Sequence, residues 1–346
     1  GSTTPKLDET ILAAEIADYL GVDLVVEVMT DDDIANAFSS LMWHLETPTL
    51  STESAALHAL ACRAGGLSKV VLTGEGADEA FAGYQAFEQG RQLGRIWDSP
   101  PTIRALVRRV LRTRLASQCL TPGDSRLDRI RDAFGFIPAQ AIEWEFYREV
   151  FGPIITGPAG VLLEADVPLT TVEFDRDLPA RASRLNASLA VSYDVMLGNY
   201  LLGPHGDRVL AGASVEGRYP FLDREVVEFA ALLGDQAKIG QGYNKVLLRL
   251  AAQHHVGPEV AWRAKKRFTM PFVNPFVSPN SPEIYRYLMA PQTIDDFGYF
   301  DAERVAAVLG QLGSPIPSGS RGRRHLARLR QGDPGCHNPA LASHLL

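Results

Sequence analysis

The run Lys69-Val-Val-Leu-Thr-Gly-Glu-Gly-Ala-Asp-Glu-Ala-Phe-Ala-Gly-Tyr84 restricts the fold more than any other stretch of this chain. Val70, Val71 and Leu72 read as a buried parallel strand. A turn with two glycines and three carboxylates (Glu75, Asp78 and Glu79) follows, and then the helix-forming Ala80-Phe81-Ala82. A strand that enters a helix through a glycine turn brings backbone N–H groups and the positive helix end to a phosphate or a metal. Three carboxylates there repel a phosphate unless a cation lies between them or one of them works as a base. The run therefore reads as a nucleotide site, weighed against an ordinary strand-to-helix turn. A dinucleotide oxidoreductase is disfavoured, because Glu79 stands where a third glycine is needed after Gly74-Glu-Gly76.

Upstream, Asp8 and Glu9 open a helix with Leu12, Ile16 and Leu20 on one face, and Gly21 closes it. Residues 24–29 read as a strand. Asp31-Asp32-Asp33 caps a helix running through Leu45, and residues 51–64 form an alanine-rich helix ended by Gly65-Gly66. This alternation predicts a parallel α/β layer with ligands at the carboxyl ends of its strands. After Tyr84 the strand signals fade. Residues 100–200 are helical patterns interrupted by Pro101, Pro122, Pro153, Pro158 and Pro168. Residues 185–312 are again helical, with loops at 212–220 and 263–279, and 314–322 reads as a loop before a last short helix. The expected domains are an α/β layer over 1–95, a helical insertion over 96–190 and a helical C-terminal part over 191–346.

A chain of 346 residues that is 46% apolar buries a substantial core, in two lobes as readily as in one. Its net charge of −7 argues against general nucleic-acid binding. Arg104, Arg108, Arg109, Arg112 and Arg114 alternate with apolar residues, as on a surface helix, and Arg321, Arg323, Arg324, Arg328 and Arg330 lack interleaved aromatics. No apolar run approaches the roughly 18–20 residues that span a bilayer, and no signal peptide is evident. Cys62, Cys119 and Cys336 are too sparse for a disulfide scaffold or a zinc site, which makes a reducing cytoplasm the expected location. His254-His255 reads as a helix end, not as a ligand pair.

Thr73-Gly-Glu-Gly-Ala-Asp-Glu-Ala-Phe-Ala-Gly-Tyr84 resembles a signature of the asparagine synthetase family. Two further segments agree in order: Gly206-Asp-Arg-Val-Leu-Ala-Gly-Ala-Ser-Val-Glu-Gly-Arg-Tyr-Pro-Phe-Leu-Asp223, and Lys245-Val-Leu-Leu-Arg249 with Ala261-Trp-Arg-Ala-Lys-Lys-Arg-Phe268. Asn338-Pro-Ala-Leu-Ala-Ser-His is a weaker fourth match. The family's N-terminal glutaminase domain and its Ser-Gly-Gly-x-Asp-Ser pyrophosphate loop do not occur in these residues. The sequence thus resembles the C-terminal part of a synthetase, with a sheet of the adenine-nucleotide alpha-hydrolase (ATP pyrophosphatase) type followed by a large helical region.

The resemblance implies ATP-dependent amide formation through an acyl-adenylate, with ATP and Mg2+ as cofactors. Asp78 takes the place of the magnesium ligand, and Glu75 and Lys245 those of the catalytic base and the oxyanion-holding lysine. Thr73, Gly74 and Gly76 would lie against the nucleotide, and Arg263 and Lys265 against phosphate. Glu216 with Arg218, and Asp207 with Arg208, look structural. The implied partners are ATP, a carboxylate substrate and the missing glutaminase and pyrophosphate-loop segment, in cis or as a separate chain; a homodimer is left open. Departures keep aspartate open as the substrate: Gly198-Asn-Tyr-Leu-Leu-Gly-Pro-His-Gly206 lacks the family's acidic partner, Thr47-Pro-Thr-Leu-Ser-Thr-Glu53 lacks an arginine, and Arg267 replaces a usual glycine or proline. An amidotransferase and a peptide or amide cyclase both fit, and the alternative is a non-catalytic homologue or scaffold subunit.

Overall fold

The computed structural model describes residues 2–3, 8–49, 51–97, 99–100, 102–103, 106, 124–141, 143–144, 148, 151–164, 173–265, 268–271 and 273–313. Pro101, Pro122, Pro168, Cys119, Cys336, Arg267, the arginines at 104–114 and 321–330, the 314–322 loop and the Asn338 motif lie outside them. The described residues divide into two units: those up to Gln85 with Leu189–Ser281, and those of Ala86–Ser188 with those from Pro282 to Gly313. Described residues are mostly helical, with two small two-stranded sheets.

In the first unit, helix α1 (Thr10–Leu20) ends at Gly21, whose φ of 64° is left-handed and costs glycine little. Helix α2 (Asp31–Leu45) starts with a reciprocal cap: the Asp33 N–H donates to Thr30 Oγ1 (3.1 Å) and the Thr30 N–H donates to Asp33 Oδ2 (2.9 Å). The expected all-aspartate cap is therefore corrected: Thr30 is the cap, and such caps contribute about 1 kcal/mol. Ile34, Leu41 and Leu45 of α2 pack with Ala55, Ala56 and Ala61 of α3 (Glu53–Gly65), and with Val209, Leu210, Val215 and Met270, in one core.

The expected strand at 24–29 is not formed. Among the described residues, Met29 alone of this run makes a bridge, parallel to Ser2, and Val22, Leu24, Val25, Val26 and Val28 are 40–57% exposed. β-branched residues favour extended backbone, but a strand exists only where a neighbour completes its ladder.

Strand β1 (Val70–Leu72) has that neighbour. It pairs parallel with β2 (Glu216–Arg218), Val71 lying opposite Gly217. The expected parallel direction holds, but the expected burial does not: Val70 and Leu72 are exposed, and Val71 packs on the core. β2 sits where a loop was expected. Glu-Gly-Arg has little β propensity, so pairing with β1 decides its conformation. After β1 come α4 (Ala77–Phe81), a π-helix over Ser192–Asp207 with a non-helical Gly206, α5 (Arg208–Gly212), β2 and α6 (Arg224–Leu232). The antiparallel pair β3 (Ile239–Gly240) and β4 (Tyr243–Asn244) leads to α7 (Val246–Val256).

The second unit includes helices Asp124–Phe134, Gly157–Glu164, Pro291–Phe297 and Ala302–Gly313. Phe134 and Phe136 both meet the Phe174 ring, and the Ala139 N–H donates to the buried Ser188 hydroxyl (3.1 Å). No described helix is long and apolar enough to cross a membrane.

Candidate active site

The site grows from the end of β1. The Thr73 N–H carries the ladder one residue further, to the Arg218 carbonyl (2.9 Å), and the Thr73 hydroxyl accepts the Glu75 N–H (3.4 Å). The chain then turns at Gly76, where φ is 87° and an added Cβ would stand 2.1 Å from Leu222 Cδ2. Conformation and contact each require glycine at that position. Around Gly74, by contrast, there is open space.

Charge gathers on the helix that follows. Lys245 Nζ lies 3.1 Å from Asp78 Oδ2, and Lys265 Nζ donates to Asp78 Oδ1 at 2.8 Å. Burial pushes the Asp78 carboxyl up, but the two ammonium groups outweigh it and hold it below the usual aspartate range. Burial also holds Lys245 below the usual lysine range, against the attraction of Asp78. Glu75 is pushed up to about 7, first by burial and then by repulsion from Glu79 and Asp78, with Lys245 and Lys265 opposing. Glu79 is 1% exposed; burial raises its carboxyl although the Tyr84 hydroxyl donates to it at 2.6 Å.

Backbone conformation and side-chain hydrogen bonds together hold this cluster. Lys245 has a φ of 53° and precedes α7: it is the left-handed residue at the helix entrance. The Asn244 side chain donates to the Gly83 carbonyl. Arg249 then fastens the approach, donating to the Asn244 carbonyl (2.7 Å), to Asn244 Oδ1 (3.0 Å) and to the carbonyls of Ala261 (2.7 Å) and Arg263 (2.8 Å). Gly83 forms the floor: a Cβ there would come 1.8 Å from Asp78 Oδ1 and 2.1 Å from Lys245 Cε.

Glu75, Asp78, Lys245 and Lys265 are thus brought together, with Thr73, Gly74 and Gly76 in the same turn. Arg263 is directed elsewhere, to Glu9 at 3.4 Å. Glu216 and Arg218 form an exposed pair (2.6 Å), Asp207 accepts the Tyr219 hydroxyl (2.6 Å), and Arg208 donates to the Leu45 carbonyl. His254 and His255 lie in the last turn of α7. Sequence reading assigned no role to Gly83, Tyr84, Asn244 or Arg249. Gly83 and Tyr84 ended the motif already singled out, and Arg249 ended the Lys245–Arg249 segment.

Chemically, the arrangement offers two ammonium groups to an anion and, beside them, a carboxyl that exchanges its proton near neutrality. Among the described residues no three His, Cys, Asp or Glu side chains are grouped to hold a metal by themselves.

The sequence also has relatives among known proteins. Residues 1–331 match the pattern of the family described as asparagine synthase. Asparagine synthetase [glutamine-hydrolyzing] 1 of Bacillus subtilis (strain 168) is 26% identical over 267 residues, covering 76% of this chain and 40% of that protein. Amidase chry2 of Gibberella zeae is 27% identical over 286 residues, 76% of this chain and 41% of that protein. Amidase chyE of Penicillium rubens is 43% identical over 82 residues, 23% of this chain and 12% of that protein. The chain spans about two fifths of the length of the first and second of these relatives. The match over nearly the whole length of the sequence makes this chain a member of the asparagine synthase family.

Proposed function

We propose that this chain is the synthetase portion of an ATP-dependent carbon–nitrogen ligase. The observation that carries the reading is the meeting of Glu75, pushed up to about 7, with an aspartate held by two lysines at the carboxyl end of β1. A carboxylate is a poor electrophile. Attack of its oxygen on the α-phosphorus of ATP expels pyrophosphate and gives an acyl-adenylate. An amine then attacks the acyl carbon, the C–O bond to AMP breaks, and the nitrogen loses a proton. Glu75 takes that proton: its pKa is matched to a base working near neutral pH. Lys245 holds the adenylate phosphate and the developing oxyanion.

Thr73, Gly74 and Gly76 lie against the nucleotide in this reading, and the open space at Gly74 suits a close backbone approach. The layer is then of the adenine-nucleotide alpha-hydrolase type. Lys265 faces phosphate, while Arg263 must leave Glu9 to do so. Magnesium fits Asp78 as a single protein carboxylate: the group is held ionised, each oxygen spends one lone-pair direction on an ammonium, and the remaining directions are free for a cation that takes its other ligands from phosphate and water. When bound, it would neutralise phosphate charge.

The acyl acceptor is left as a carboxylate without assignment to aspartate, given the arginine-free segment 47–53. The nitrogen donor is glutamine-derived ammonia or an amine of the substrate. A pyrophosphate-release assay tests the reading. The chain alone should not turn over ATP, because part of the phosphate cradle belongs to a Ser-Gly-Gly-x-Asp-Ser segment. Supplying that segment, in cis or as a second chain, should give magnesium-dependent AMP formation with a carboxylate substrate. Turnover by the chain alone would refute the divided cradle, and absence of AMP from the completed protein across a carboxylate panel would refute the ligase.

A further inference from the structure

We propose that Arg249 is a positioning residue for the reaction, a single guanidinium that sets both of the lysines meeting at Asp78. Its consequence for turnover rests on the ligase reading; its geometry does not. Lys245 reaches Asp78 Oδ2 and Lys265 reaches Asp78 Oδ1, from two separate segments. Neither lysine lies inside a helix or strand: Lys245 is the left-handed residue ahead of α7, and Lys265 follows Ala261 in irregular backbone. Regular hydrogen bonding therefore fixes neither of them against the other.

Arg249 stands one turn into α7, where its backbone N–H donates to the Lys245 carbonyl at 2.9 Å. A guanidinium offers five N–H donors in one rigid plane. Nε donates to the Asn244 carbonyl and Nη2 to Asn244 Oδ1, so the residue before Lys245 is held at its backbone and at its side chain. Nη1 donates to the carbonyls of Ala261 and Arg263, and Arg263 is two residues ahead of Lys265. Four of the five donors thus join the two lysine-bearing segments.

All four oxygens are uncharged, so the bonds call for the shape of the fork and not for its charge alone. With one donor left, Arg249 is also ill suited to hold a phosphate itself. The Tyr243 ring lies 5.5 Å from the guanidinium carbon and meets Trp262 edge-on, with ring centres 5.1 Å apart. Asn244 then passes the restraint on, its side chain donating to the Gly83 carbonyl beneath Asp78. A lysine at 249 keeps the charge but has one nitrogen, which cannot span acceptors on two segments in this pattern.

The test reads the two lysines directly. Ammonium groups held in ion pairs give 1H–15N correlations at mildly acid pH, and Lys245→Arg and Lys265→Arg assign them in the full chain. Arg249→Lys should abolish both signals, while the ammonium of Lys238, 1% exposed, and the amides of Ile34 and Leu41 report an intact fold. In the protein completed by the phosphate-binding segment, the same variant should form AMP about tenfold or more slowly. Retention of both signals in Arg249→Lys overturns the proposal, as does their absence from wild type, or their loss with a rate within about twofold of wild type. A completed wild-type protein that forms no AMP refutes the ligase reading, and the lysine signals still decide what Arg249 does. If the fold controls change in Arg249→Lys, Asn244→Ala decides: it leaves the bonds to Ala261 and Arg263 in place, so Lys245 should lose its signal and Lys265 keep it. Any other pattern overturns the proposal.

Discussion

Residues 70–72 and 24–29 are two β-branched runs in the same unit, and they have opposite fates. Val70-Val-Leu72 finds Glu216-Gly-Arg218 and becomes a strand; the longer run at 24–29 is bridged at Met29 to Ser2 and, among the described residues, remains outside any named strand. Propensity is the same and the partner differs. The consequence extends beyond the strands, because the paired run delivers the charged turn on which the proposed chemistry rests, while the other delivers the capped start of α2.

The sharpest way to break this contrast is at the turn. Glu75→Gln, in the protein completed by the phosphate-binding segment, should reduce amide formation by about two to four orders of magnitude. Retention of more than about a tenth of the rate would return Glu75 to a helix-end charge. Next, Lys245→Ala should raise the barrier by about 3–4 kcal/mol with an unchanged circular dichroism spectrum. Loss of the fold would make Lys245 structural. Gly83→Ala should cost about tenfold or more in rate, since its methyl displaces Asp78 or Lys245 from their contact. A rate within twofold of wild type would show that the ion pair is dispensable.

A fourth prediction concerns pH. Glu75 keeps its proton up to about 7 when folded, but loses it near 4.5 in the unfolded chain. Its contribution is therefore full below about 4.5 and is lost as pH rises through about 7. Glu75→Gln should flatten that slope and gain stability on the order of 2 kcal/mol at pH 8 relative to pH 4. Parallel denaturation curves for the two proteins across that window would contradict the burial of Glu75. The smallest effect addresses the two runs themselves. Val71→Ala should destabilise by about 1–2 kcal/mol, and Val26→Ala by less than about 0.5 kcal/mol, in urea unfolding. Equal costs would mean that residues 24–29 are packed after all.

What the sequence made legible was local. Gly21 and the 31–45 helix could be read because a cap or a left-handed stop acts within a few residues. The turn from Thr73 to Gly83 was legible as a motif. β2 was not, since Glu-Gly-Arg becomes a strand only by meeting a segment far back in the chain. Nor could spacing tell that Lys265 would reach Asp78 while Arg263, two residues earlier, would turn to Glu9: that choice is made by the fold around Arg249. The exposure of Val70 and Leu72 escaped for a related reason, because burial of a strand face depends on what lies over it.

In the proposed site, the position of Glu75 among Asp78, Glu79, Lys245 and Lys265 also couples ligand binding to protons. Near neutrality Glu75 is protonated in only a fraction of the molecules, so any charge arriving in the turn changes that fraction. An anion favours uptake of a proton and a cation favours release. The heat of binding will then depend on the ionisation enthalpy of the buffer, and the slope of that dependence counts the protons. Affinity measured at a single pH describes only one point of a surface on which ligand and hydrogen ion bind together.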